Sequence, residues 1–177
     1  IYRTQKKLDL AIKEYERALE LKPGVSETRQ WLGSLYMETG QYEKAQSLLK
    51  PLLKSTTTDT AESLVLQGNI YQRQGQHQQS LEQYQKASQL KPDSALIYHN
   101  IGLAQYYLHN YDQAEEAFKK ALSLDATIAE SYNLLGQLYL RRKDDRGALE
   151  LFQKALQLNP KLRDAQFNVG TIFLRMK

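Results

Sequence analysis

The side chains of this sequence best suited to binding a metal or moving a proton near neutral pH are three histidines, His77, His99 and His109. A helical metal site needs a second ligand three or four residues away on the same face, and none of the three has one. Asp144 and Asp145 adjoin, but Arg141, Arg142 and Lys143 directly precede them. That is a solvated charge cluster in a turn rather than an acid and a base set apart by their surroundings. No Gly-x-Gly-x-x-Gly, no phosphate loop ending in Gly-Lys-Ser/Thr and no Gly-x-Ser-x-Gly elbow occurs. There is no cysteine, which excludes disulfides, thiolate metal sites and a cysteine nucleophile. The expectation is a chain that is not an enzyme and carries no metal or cofactor.

The chain has 177 residues, 41% hydrophobic and 25% charged, with 24 Lys and Arg against 20 Asp and Glu for a net charge of +4. Its basic residues are interspersed, which argues against nucleic acid as a partner. Uncharged stretches fall far short of a membrane span, so no membrane insertion is expected. The chain starts at Ile1 without a basic-then-apolar leader, and the cytoplasm is the default location.

With chemistry set aside, the elements carry the information. Glycines stand at 33, 68, 102, 136 and 170, at steps of 35, 34, 34 and 34. Twelve residues after the first four come Ala45, Ser80, Ala114 and Ala148, and nineteen after come Leu52, Ala87, Ala121 and Ala155. Within a copy the apolar spacing is helical: Leu134, Leu135, Leu138 and Tyr139 line one face, and Leu149, Phe152 and Leu156 form a second set after a short polar turn. No segment alternates with the period of a strand. Each copy therefore reads helix, tight turn, helix, and the fold is expected to be all-α. A glycine inside a helix costs about 1 kcal/mol against alanine, so its recurrence implies a close helix crossing. Tyr15, Leu49, Tyr84, Phe118 and Phe152 are expected to fill the wedge towards the neighbouring hairpin. His77 takes the aromatic position of a turn and His109 the glycine position of another.

These residues resemble the tetratricopeptide repeat, a helical hairpin with Leu-Gly, aromatic, Gly, aromatic, Ala, aromatic, Ala and Pro at fixed offsets. Leu32-Gly33, Tyr36, Gly40, Tyr42 and Ala45 fit it, as do Ile101-Gly102, Tyr111, Ala114, Phe118 and Ala121. So do Leu135-Gly136, Tyr139, Ala148, Phe152, Ala155 and Pro160. The resemblance covers essentially the whole chain. It implies a right-handed superhelical solenoid of antiparallel hairpins, a single array over 1–177, with full repeats at 26–59, 61–94, 95–128 and 129–162. Residues 1–24 and 163–177 are then half repeats, an expected sign of a piece of a longer array. The half repeats should leave apolar faces open, and end-to-end self-association is expected from them. Pro51 falls inside the second helix of one copy and should kink or loosen it between Ser47 and Pro51. Asp59 with Glu62 offers a capping-box-like start for the next helix.

The resemblance also implies a concave groove lined by the first helices of successive hairpins. Its expected peptide- or partner-binding residues are Trp31, Val65, Leu66, Asn69, Arg73, His99, Asn100, Leu103, Tyr106, Tyr107, Asn133, Leu134, Arg141 and Asn168. The apolar members exceed what hairpin packing requires, and the asparagines can both donate to and accept from a peptide backbone. Glu27, Glu62, Glu130 and Asp164 start these helices while Arg73, Arg141 and Arg175 end them, which helix dipoles alone account for. The expected function is a scaffold that binds an extended peptide or a partner helix in the groove. An alternative is the substrate-recognition part of an O-linked N-acetylglucosamine transferase, whose asparagine pattern is interrupted here by Trp31, Leu66 and Leu134. A chaperone-tail carboxylate clamp fits less well: Asn69 and Asn100 align with its asparagines, but Val65, Glu130 and Leu134 stand where its cations belong.

Overall fold

The computed structural model describes residues 2–54 and 58–175. Among these residues the chain forms ten α-helices and no strand. They fall into two compact units, 1–92 and 93–177. The first holds α1 (Tyr2–Leu21), α2 (Ser26–Glu38), α3 (Tyr42–Leu49), α4 (Thr58–Arg73) and α5 (His77–Leu90). The second holds α6 (Ala95–Tyr107), α7 (Tyr111–Leu124), α8 (Ala129–Arg141), α9 (Asp145–Leu158) and α10 (Arg163–Arg175). Pairs α2/α3, α4/α5, α6/α7 and α8/α9 are the hairpins that the helical periodicity calls for.

One device closes all four hairpins. The last residue before each second helix returns its N–H to a carbonyl five residues back: Gln41 to Tyr36 at 2.7 Å, Gln76 to Tyr71 at 2.9 Å, and Asn110 to Gln105 and Asp144 to Tyr139 at 3.0 Å. The residue before it donates to the carbonyl three back, and the pair of bonds satisfies carbonyls that a helix end would leave open. That residue must be left-handed. It is Gly40 at φ 75° and Gly75 at φ 74°, but His109 at φ 63° and Lys143 at φ 64°. A side chain in this region costs about 1–2 kcal/mol, partly offset because glycine loses more freedom on folding. Lys143→Gly should therefore raise the thermal midpoint by roughly 1–3 °C, measurable by calorimetry. An unchanged or lower midpoint would show the turn carries no strain. Asp144, half of the acidic pair noted in the sequence, accepts the Gly147 N–H at 2.9 Å and so caps α9.

In three of the four hairpins the core is a glycine lying under a ring. A Cβ built on Gly68 would stand 2.5 Å from Tyr84, on Gly102 2.6 Å from Phe118, and on Gly136 2.8 Å from Phe152. The rings are fully buried. This revises the expected packing: the phased aromatics cover the glycine of their own hairpin rather than only wedging against the next. Gly33 is different, because its partner is Leu49, 3.4 Å away, and Leu66 of α4 closes in at 3.2 Å. Leu66 thus joins Ile12, Leu32, Tyr36, Ala45, Leu49 and Ile70 in the core of the first unit. Gly170 has nothing within 4 Å.

Two other expectations change. Instead of a kink before Pro51, α3 stops at Leu49, with Lys50 as its last capping donor to Gln46 at 3.1 Å and a turn of 3₁₀-helix over Leu52–Lys54. Proline has no N–H for the next rung, so the helix ends where the ladder does. The side chain of Asp59, the expected cap, lies outside the described residues, as do Ser55, Thr56 and Thr57. On the last half repeat, whose apolar face was expected to stand open, Ile172 is fully buried with Ala148, Phe152, Ala155 and Ala165, while Phe173 and Leu174 remain exposed.

Between α7 and the end of α8, Arg142 reaches Asp112 at 2.8 Å and also pairs with Glu115, which Lys119 holds at 2.6 Å. Burial acts to raise the Glu115 pKa, but the hydrogen bonds and charges of Lys119 and Arg142 outweigh it and leave the carboxyl below its ordinary value.

Candidate peptide-binding site

In the second unit, α6 and α8 are the first helices of their hairpins and α10 stands in the same phase of the repeat, and side chains one helical turn apart on the three converge. Tyr106, Gln137, Leu140, Arg141, Asp164, Phe167 and Asn168 line a cleft of about 420 Å³. The Tyr106 hydroxyl donates to Gln137 Oε1 at 3.0 Å, so the Gln137 amide nitrogen keeps its two protons for another acceptor. Burial pushes the Tyr106 phenol above its ordinary pKa, against the favourable charge of Arg141. Phe167 is 74% exposed and Tyr107, edge-on to Tyr106 at 5.9 Å, is 49% exposed. Fixed polar groups beside apolar surface left over from packing can orient an extended chain and desolvate its side chains.

A second cleft of about 470 Å³ opens on the turn side, lined by His109, Asn110, Tyr111, Asp112, Gln113, Leu138, Arg141 and Arg142. Arg141 lines both clefts. Its guanidinium lies over the Tyr111 ring, 4.1 Å from the centroid, and His109 Nδ1 stands 2.8 Å from the Tyr111 hydroxyl. Helical spacing brings Arg141 to the end of α8, but nothing in the spacing tells that Tyr111 of α7 lies beneath it.

The remaining expected residues of this unit lie deeper. His99 Nδ1 is 2.7 Å from Ser131 Oγ and its ring 5.9 Å from Phe118. Burial lowers its pKa, against the charge of Glu130, so the neutral ring is favoured. Leu103 and Asn100 are half-buried, and Leu134 packs on the core of Ala114, Phe118, Leu135 and Leu138. Asn133 is 5% exposed and its Oδ1 has no hydrogen-bond partner. It therefore cannot reach a peptide laid on the surface, as its place in the repeat had suggested. Gln30 bonds Ser63 at 3.3 Å in the first unit just as His99 meets Ser131 in the second; Ala165 holds the phase-equivalent position after Asn133, and alanine has no hydroxyl to offer.

In the first unit, Trp31 is 62% exposed on α2, Arg73 is exposed at the end of α4, and Val65 is half-buried. Leu66 is only 7% exposed. It is a core residue, so the expectation that it offers binding surface does not hold. The Asn69 Oδ1 accepts from the buried Tyr84 hydroxyl at 2.7 Å; burial pushes that phenol up to about 12, a lesser opposing effect coming from Ser80. Sequence reasoning passed over a cleft of about 400 Å³ lined by Glu43, Gln46, Ser47, Lys50, Leu53, Gln67, Tyr71 and Gln83. Its only signal was the proline at 51, which shortens α3.

A tetratricopeptide repeat model matches residues 59–127 and again 93–161, and a second such model matches 2–69. The chain belongs to the tetratricopeptide repeat family. Among solved structures it is similar to MamA, at 29% identity over 90% of this chain and 92% of that one, with a TM-score of 0.74. It is also similar to a thermophilic tetratricopeptide repeat protein of Thermus thermophilus, at 26% identity over 98% and 94%, TM-score 0.76. A third likeness is to YrrB, described as having an unusual peptide-binding site, at 20% identity over 93% and 84%, TM-score 0.70, which speaks for the fold alone. No curated protein sequence matches significantly. Among the described residues no helix is long and apolar enough to cross a membrane.

Proposed function

We propose that this chain is a protein-interaction scaffold that binds an extended peptide across the exposed sides of α6, α8 and α10. The observation that carries the reading is the cleft between those helices, where Phe167 exposes apolar surface, with Tyr107 exposed next to the cleft residue Tyr106. Asn168 and Gln137 offer amides to a peptide backbone, and Asn100 extends the same line on α6. Trp31, Val65, Asn69 and Arg73 give the first unit a smaller face of the same kind on α2 and α4. Repeat folds of this family and a neighbour described by its peptide-binding site support the coarse reading.

Selection of a random twelve-residue peptide library on the immobilised chain tests it. Recovered peptides should bind Tyr107→Asp and Phe167→Asp at least about tenfold more weakly, because a charge then faces the apolar part of the ligand. Both variants should keep their helical circular dichroism and thermal midpoint, since both side chains are exposed. Undiminished binding by both variants, or no peptide recovered, would overturn the assignment of this face.

A further inference from the structure

Arg141 ends α8 and Arg142 follows as its cap, but the two are used in opposite ways. Arg142 is taken up by Asp112 and Glu115 of α7, and Arg175, at the end of α10, meets Asp145 at 3.3 Å. Among the described residues Arg141 has no carboxylate partner, although its position between two clefts would suit one. Its guanidinium stacks instead on the Tyr111 ring. Stacking occupies the face of a guanidinium and leaves the N–H fork in its plane open, so the group is held still without being neutralised. Tyr111 is itself held, edge-on to Tyr106 at 5.9 Å and within 2.8 Å of His109 Nδ1. A pre-positioned fork loses little side-chain freedom when it takes a carboxylate.

Resting on the peptide reading above, we infer that Arg141 sets the specificity of the cleft by taking a Glu or Asp side chain of the bound peptide. The apolar residue next to that acid lies on Leu140 and Phe167, and its backbone meets Gln137 and Asn168. Asp164, on the same cleft, has no cation partner among the described residues and repels a second acid. The favoured ligand is therefore a segment with one acid beside an apolar residue and a neutral or basic residue towards Asp164, not a run of acids.

The test takes the peptides recovered from the library and resynthesises each with its acid changed to the amide. The amide versions should bind the unaltered chain about tenfold or more weaker. Arg141→Gln should lose the same factor for the acidic peptides and nothing for the amide versions. Arg141→Lys should restore part of the loss, and Asp164→Asn should admit a second acid. Both Arg141 variants should melt as the parent does, since the side chain is exposed. Recovered peptides without an acid, or acidic peptides equally tight on Arg141→Gln, would overturn the role of Arg141 while leaving the cleft as a peptide site. Failure of Tyr107→Asp and Phe167→Asp to weaken binding would remove this face of α6, α8 and α10 as the peptide site.

Discussion

Gly102→Ala will lower the unfolding midpoint of this chain, and Gly170→Ala will raise it. Both sit at the same position of the repeat and both gain about 1 kcal/mol of helix propensity on becoming alanine, so their difference isolates what the new methyl meets. At 102 it meets the Phe118 ring at 2.6 Å, and that ring is fully buried with no room to withdraw; at 170 it meets nothing within 4 Å. Overpacking of this kind costs about 1–3 kcal/mol, a separation of roughly 2–12 °C between the two variants for a chain of this size. Differential scanning calorimetry reads it directly. A Gly102→Ala midpoint at or above that of Gly170→Ala would mean that the ring does not rest on the glycine. Gly33→Ala should fall between them, because the Leu66 and Leu49 tips at 3.2 and 3.4 Å can yield a few tenths of an ångström.

A carboxylate placed at Leu66 should strongly destabilise the first unit, whereas the same change at Trp31 should leave it nearly as stable. The two residues occupy one repeat position, two before the ladder glycine, yet Leu66 is 7% and Trp31 62% exposed. Leu66→Asp removes aliphatic contacts with Leu32, Leu49 and Ile70 and strands a charge among them, for a cost of about 4 kcal/mol or more. The midpoint should fall by about 10 °C or more. Trp31→Asp should move it by no more than about 1–2 °C. A Leu66→Asp variant with an unchanged melt would place Leu66 on the surface and return it to the binding face.

The contrast between these two residues shows where the sequence stops being legible. Period and phase located the helices, the four hairpins and the glycines that let them close, because each copy repeats the same contacts. They did not tell Leu66 from Trp31, since burial there depends on an exception in another position: Leu49 is smaller than Tyr84, Phe118 or Phe152, and Leu66 moves into the space. Nor did they tell Gly170 from Gly102, which differ only in what stands opposite. At Asn133 the side chain was legible and its surroundings were not, because its missing hydrogen-bond partner comes from another helix. Of the site, Tyr106, Arg141 and Asn168 were all named by phase. Their gathering into one cleft, and the stacking of Arg141 on Tyr111, depend on how far each helix is displaced against the next, which spacing along the chain does not encode.

The glycine lying under a ring also constrains how such a chain can change over time. Neither member can change freely on its own: a methyl on Gly102 collides with Phe118, and an aliphatic residue in place of Phe118 leaves a hollow beside a helix still carrying the penalty of glycine. The passable order is ring first and glycine second, with a neighbour filling the gap between the two events. The hairpin of α2 and α3 has the arrangement such a halfway point would have. Its ring position holds Leu49, its glycine is still Gly33, and Leu66 from the following helix occupies the gap. The filler comes from the next repeat, so a change begun in one copy passes to its neighbour, and repeats that began alike acquire histories that depend on who stands beside them.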